Sequence, residues 1–295
     1  MTVTIRKCKI YLMDNNTIET LLRKWNPHFD DVAKGEWVGT VPRAQYVERI
    51  SKTLPTRHIL VLTGVRRSGK STIMHQLMAH LIEEGTPAQN VLYLYLEDLE
   101  VAPYLKLGAQ LLEKLYKFYL EKYNPEGRVY VFIDELQGIK DFNKWLHTYY
   151  EFNRTNLKFI ISGSQKSLTE GEQATVLTGR TIHFDIYPLN FYEYLVLQGV
   201  EVKGEGSITS IKDANFEQIP SILHHLGNYL YEGGFPEIVL EKDKSVKRSI
   251  ANGYYRDTVT RDIIIPNGIR NQREIEVLGL QILADFTKTH TYRSL

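Results

Sequence analysis

The 295-residue chain carries 36 basic and 35 acidic side chains, a formal net charge of +1, with 43% hydrophobic and 24% charged residues. This is the balance of an ordinary globular protein with enough chain to bury a sizeable core, and it gives no global electrostatic case for nucleic acid, a membrane surface or an acidic partner. A single cysteine, Cys8, excludes an intramolecular disulfide, and no apolar run reaches bilayer length. The first thirteen residues lack a signal-peptide core, which leaves a cytoplasmic location as the default.

Residues 1–50 hold few sustained patterns and are expected to form an N-terminal arm and linker. Asn26-Pro27 and Pro42 punctuate it as turns, and one short helix is expected from about Arg43 to Leu54. A cleaner alternation follows. Ile59 to Leu62 reads as a buried strand, and Ile73, Leu77 and Leu81 repeat at helical spacing with Gly85 as a cap. Val91 to Leu96 is a tyrosine-rich strand. Pro103 opens a helix with Leu105, Leu111, Leu112, Leu115 and Tyr119 on one face. Val129 to Ile133, Leu157 to Ile161 and Thr181 to Ile186 read as further strands, with a helix around Phe142 to Tyr149. Strand alternating with helix predicts a three-layer α/β/α parallel sheet over residues 51–188. Beyond Pro188 only helical patterns remain, which predicts a smaller helical domain after the sheet domain.

The strongest motif runs Gly64-Val65-Arg66-Arg67-Ser68-Gly69-Lys70-Ser71, with Thr72 following. It fits G-x-x-x-x-G-K-[ST] between a strand and a helix. The two glycines let the backbone curl so that its N–H groups face an anion, and the helix N-terminus points its positive end there. Lys70 reaches the β- and γ-phosphates of ATP, and Ser71 offers a hydroxyl to Mg²⁺. Arg66 and Arg67 meet a phosphate, a partner or only solvent. A chance match in a glycine-rich turn is the alternative, and both flanks weigh against it.

The apolar run Val129 to Ile133 ends in Asp134-Glu135. At the carboxyl edge of such a sheet Asp134 is placed to hold the magnesium, and Glu135 to orient and polarise the attacking water. Alone, such a pair would read as a solvated strand end. Ser162-Gly163-Ser164 follows the next strand, and Ser164 is a second candidate for contact with water or phosphate if that strand neighbours the P-loop strand. Arg180 reads first as an intrachain salt-bridged arginine, and alternatively as a group presented to a neighbour's nucleotide. Arg256, Asp257, Arg261 and Asp262 read as a salt-bridged helix face, with nucleotide sensing as the alternative. No metal-ligand or nucleophile constellation competes. Adjacent His224 and His225 diverge on a helix, and Cys8 has no partner near it in sequence.

These residues, in order, resemble the AAA-type P-loop ATPases of archaea and bacteria in which an ATPase domain precedes a winged helix and a nuclease-like domain of unknown function. The resemblance rests on GVRRSGKST, VFIDELQ, KFIISGSQKSL, LTGR, PLNFYEY, YEGGFPE and YYRDTVTRDI, and runs from Trp25-Asn26-Pro27 to the end. It implies an ATPase core with a helical lid over 189–265, Ser164 at a sensor position where asparagine is commoner, and Arg180 as a finger reaching a neighbouring subunit. It also implies a homo-oligomer and only the start of the winged helix in 266–295. The function expected is Mg²⁺-dependent ATP binding and hydrolysis, coupled to assembly or conformational switching. The competing expectations are a non-hydrolysing nucleotide-dependent scaffold and a DNA-associated switch, the latter unsupported by charge.

Overall fold

The computed structural model describes residues 13–30, 41–152, 156–163, 177–201, 203 and 216–285. The chain divides into two compact units, Met1–Tyr187 and Pro188–Leu295.

The first unit is built on five strands: β1 Ile59–Thr63, β2 Val91–Tyr95, β3 Val129–Asp134, β4 Leu157–Gly163 and β5 Thr181–Asp185. They form one sheet in the order β2-β3-β4-β1-β5, with every neighbouring pair parallel. Every residue of β1 and of β4 is buried, which explains their continuous apolar sequence: both faces of the sheet are covered. The helices are α1 Asn15–Trp25, α2 Ala44–Ser51, α3 Lys70–Glu83, α4 Ala109–Tyr123 and α5 Phe142–Phe152. Helix α4 packs on α5 and on α1, while α2 packs on α3, giving a P-loop-type α/β/α unit. In α3 the expected stripe Ile73, Leu77 and Leu81 is buried, and the helix ends at Gly85, whose positive φ of 93° suits glycine.

Two segments depart from the sequence expectation. Pro103 sits in a 3-10 turn, Ala102–Leu107, and α4 starts only after Gly108. Gly108 has φ of 57°, and a Cβ there would lie 2.7 Å from the Lys140 carbonyl oxygen, so chain proximity breaks the helix in two. The other departure is in the segment expected as an arm. Helix α1 is capped by Asp14, which accepts from the Thr17 amide at 2.8 Å, and it buries Ile18, Leu21 and Leu22 completely. Asn26, expected as a turn residue, is fully buried. Its amide donates to the carbonyls of Leu22 (2.8 Å) and Tyr93 (2.9 Å) and accepts from the Tyr93 amide (2.6 Å). His28 bonds the Val91 carbonyl at 2.7 Å. These side chains pair with backbone groups of edge strand β2, groups that an uncovered edge would leave open.

The amino edge of the sheet is held by buried cations. Lys158 is fully buried and donates to the carbonyls of Thr53 (3.0 Å), Thr56 (2.9 Å) and His58 (2.6 Å). Arg128 donates to the carbonyls of Leu54 and Thr56, each at 3.0 Å, in the same loop. Burial, with Arg128 alongside, pushes the Lys158 pKa down to about 7.

The second unit is helical: α6 Phe191–Leu197, α7 Ile219–Glu232, α8 Pro236–Leu240, α9 Lys244–Thr258 and α10 Gln272–Ala284. Asn190 and Glu193 form a reciprocal capping box at α6. Leu189 donates its amide to the Gly234 carbonyl at 2.7 Å, and a Cβ on Gly234 would fall 2.2 Å from the Leu189 carbonyl oxygen. The sequence stretches PLNFYEY and YEGGFPE therefore fit against each other. Past α9 the chain continues as a π-helix, Val259–Ile264, which widens the turn expected to pair Asp257 with Arg261; Arg256 and Arg261 are exposed. The described residues of 266–285 belong to the unit Pro188–Leu295.

Replacing Lys158 by Met should cost about 2–3 kcal/mol of stability, because it leaves several buried carbonyls without a donor. Denaturant unfolding measures this. A loss below about 0.5 kcal/mol would show that the carbonyls find water.

Candidate functional site

Strand β1 ends at Thr63 and the chain turns into the loop 64–69 before α3. Gly64 has φ of 154°, and a Cβ there would lie 2.1 Å from the Ile186 carbonyl oxygen, so no side chain fits. Gly69 caps α3 in a left-handed conformation, φ 98°. Arg67, also left-handed at φ 64°, carries a strain that a glycine would not. The Ser68 hydroxyl is buried within this turn with no hydrogen-bond partner. Lys70, 5% exposed, lies back across the loop and donates to the carbonyls of Gly64 (3.1 Å) and Val65 (3.2 Å). Ser71 follows in the first turn of α3, and Thr72 comes next. Arg66 pairs with Glu97 at 3.0 Å, in the segment after β2. Arg67 is exposed.

Strand β4 lies between β1 and β3, so the turn after β1 and the end of β3 stand at the same edge of the sheet, one strand apart. Asp134 is the last residue of β3 and is fully buried. The Tyr93 hydroxyl donates to its Oδ2 at 2.7 Å and the Ser162 hydroxyl to its Oδ1. Register explains both contacts. Tyr95 is paired with Asp134 across the β2–β3 ladder, so Tyr93 is a diagonal neighbour on the same face. Burial and the Asp134 charge hold the Tyr93 phenol well above the usual tyrosine range. The carboxylate is thus fixed by two hydroxyls.

Glu135 leaves the strand in a left-handed conformation, φ 58°, which turns its side chain toward the P-loop. Its Oε1 lies 3.8 Å from Lys70 Nζ, and Gln137 donates to Oε2. Its amide donates to the Ser162 hydroxyl at 3.1 Å. Burial raises the Glu135 pKa above the ordinary carboxylate range. The Gln137 amide and the Lys70 ammonium oppose that rise, and the Asp134 charge adds to it.

The structure therefore brings together Gly64 through Ser71 with Asp134 and Glu135. The hydroxyl of Ser71 and the carboxylate of Asp134 are oxygen donors of the kind Mg²⁺ takes, and they are the residues that would hold it. Ser164 lies outside the described residues. Arg180 does not join the group. It precedes β5 at the amino edge, where its carbonyl accepts from Ile59, and β5 is five residues long, about 16 Å of rise. There it is ion-paired to Glu151 at 3.0 Å. Within one chain, then, Arg180 is a salt-bridged arginine rather than a catalytic group. Three residues at the site were not singled out from sequence. Tyr93 read only as part of a tyrosine-rich strand, and Ser162 was passed over for Ser164. Arg43 carried no signal: it is 1% exposed, and its guanidinium donates to the Ser68 carbonyl at 2.6 Å.

Residues 56–195 match the family model described as AAA domain. An uncharacterized protein of Haemophilus influenzae is 29% identical over 245 residues, covering 83% of this chain and 56% of the relative. An uncharacterized protein of Methanocaldococcus jannaschii is 30% identical over 227 residues, covering 77% of this chain and 46% of the relative. The chain spans about half the length of these curated relatives. Among solved structures, the Aeropyrum pernix ORC1 protein in complex with DNA is similar at 12% identity and a TM-score of 0.43, over 77% of this chain and 69% of that one. The domain match and the fold support nucleotide binding. Among the described residues no helix is long and apolar enough to cross a membrane, and no group of three or more His, Cys, Asp or Glu side chains forms a metal cluster.

Tyr93→Phe removes one of the two hydroxyls holding Asp134. The Mg²⁺ concentration that half-saturates nucleotide binding should rise about tenfold. Titrating Mg²⁺ against a fluorescent ADP analogue reads this, and an unchanged midpoint would make Tyr93 a packing residue only.

Proposed function

We propose that this chain is an AAA-type ATPase that binds ATP with Mg²⁺ and hydrolyses it. What supports the reading most is a single juxtaposition: Glu135 stands 3.8 Å from the Lys70 ammonium while Asp134, beside it, is held by two hydroxyls. A buried base, a phosphate-seeking cation and a metal-binding carboxylate then share one edge of the sheet.

In this mechanism the amides of 64–72 face the β- and γ-phosphates, as the left-handed Gly69 and the N-terminus of α3 favour. Lys70 exchanges its two loop carbonyls for phosphate oxygens. Ser71 and Asp134 would hold Mg²⁺, which when bound would supply positive charge to the phosphate oxygens. Glu135 orients a water in line with the γ-phosphorus and accepts its proton, returning to the Gln137-bonded state after release. Ser164 is proposed as a polar contact to the same water or phosphate. Arg180 is proposed to act in trans, released from Glu151 to meet the nucleotide of a neighbouring copy. A homo-oligomer, and coupling of hydrolysis to its assembly or to movement of a lid over 189–265, complete the proposal. The relatives' extra length leaves the process driven by ATP, including any role of a winged helix, to be assigned on the longer proteins.

Lys70→Ala should abolish nucleotide binding, and Glu135→Gln should bind ATP normally while turnover falls about a hundredfold or more. Phosphate-release assays with parallel calorimetry measure both, and unchanged turnover in the two variants would refute the hydrolytic reading. The pH profile supplies a second check. Glu135 must be deprotonated to accept a proton, and burial raises its pKa from 4.5. Turnover should therefore fall as pH drops through a value above 4.5, while binding of ATP persists.

A further inference from the structure

We infer that Arg43 is a positioning residue that presents the Gly69 amide to the phosphates by holding the opposite face of the same peptide bond. This inference rests on the nucleotide-binding reading above.

Arg43 sits at the N-cap of α2, a position that favours Ser, Thr, Asp or Asn, and its side chain caps nothing there. A local rule broken by a buried arginine calls for a compensating contact. The guanidinium donates from Nη1 to the Ser68 carbonyl at 2.6 Å and from Nη2 to the Tyr187 carbonyl at 2.8 Å. It also lies over the Tyr46 ring, 4.7 Å from its centroid. The backbone of the segment is anchored to the P-loop helix. The Arg43 amide donates to Gln76 Oε1 at 3.0 Å, and Gln76 Nε2 donates to the Val41 carbonyl at 2.8 Å.

The consequence follows from peptide geometry. In a trans peptide unit the carbonyl of residue 68 and the N–H of residue 69 point in opposite directions. A cation gripping the Ser68 carbonyl therefore turns the Gly69 N–H away from itself, toward the side where the nucleotide of this reading would lie. A flexible glycine at φ 98° would otherwise be free to rotate that peptide. The second prong, on Tyr187, fixes the direction from which the first one pulls. Glycine at 69 has a second reason here: a Cβ would stand 2.9 Å from Arg43 Nη1. Lysine cannot replace this arrangement, since its single ammonium lacks the planar fork that spans two carbonyls in fixed directions.

The test is Arg43→Lys in the full chain, labelled with ¹⁵N-glycine and titrated with Mg-ADP. In the parent chain the Gly69 amide proton should move downfield as it meets phosphate. In Arg43→Lys that shift should fall by at least half, with the dissociation constant raised about tenfold or more and the melting temperature of the free chain little changed. A full Gly69 shift with unchanged affinity in the folded variant would overturn the proposal. Should Arg43→Lys not fold, Gln76→Ala carries the test, since it frees the 41–43 backbone and leaves the guanidinium. A smaller Gly69 shift and weaker binding support the brace, and parent-like values overturn it. If the parent chain itself binds no Mg-ADP, it is the nucleotide-binding reading that fails.

Discussion

A six-residue turn joins β1 to α3, and the space it turns in is already taken. The carbonyl of Ile186 stands 2.1 Å from where a side chain at Gly64 would begin, and the Arg43 guanidinium stands 2.9 Å from where one at Gly69 would begin. The turn therefore has little freedom in the direction its peptide groups face. That constraint is set by strand order. Because β5 and β4 flank β1 and all run parallel, the exits of three strands crowd one edge, and the loop is shaped by what leaves on either side.

The same edge concentrates charge of both signs. Lys70, Arg43 and Arg66 bring positive groups to the loop, while Asp134, Glu135 and Glu97 face them from neighbouring strands. Each acid is held by a different contact. Asp134 is bound by hydroxyls, Glu97 by Arg66, and Glu135 by an amide with a cation at longer range. Burial pushes the Glu135 pKa up, and its proposed role is to take a proton. A carboxylate whose two oxygens are both spoken for keeps its position when a divalent ion approaches, which suits Asp134 to the other role.

The N-terminal segment contributes to the site through packing rather than chemistry. Trp25 donates to Asp98 and Asn26 ties α1 to the backbone of Tyr93, the residue that holds Asp134. Arg43 reaches the loop from the other side of this segment. Residues that look like a preamble in the sequence thus contact both Tyr93, which bonds Asp134, and the Ser68 carbonyl of the loop.

The sequence by itself determined the class of fold and where the strand-to-helix loop lies. Gly64 and Gly69 are legible because a side chain at either position would clash, and β1 and β4 are legible because strands covered on both faces must be apolar throughout. Helix α1 was not legible. Ile18, Leu21, Leu22 and Trp25 do recur at helical spacing, but the run is short and opens among polar residues, so its burial depends on the β2 edge it covers. Arg180 was legible as a salt bridge, and its distance from the loop follows only from the direction of β5. Tyr93, Ser162 and Arg43 could be assigned only by tertiary structure. Hydroxyls and guanidinium groups are common, and their meaning lies in which carboxylate or carbonyl a strand register places within hydrogen-bond reach.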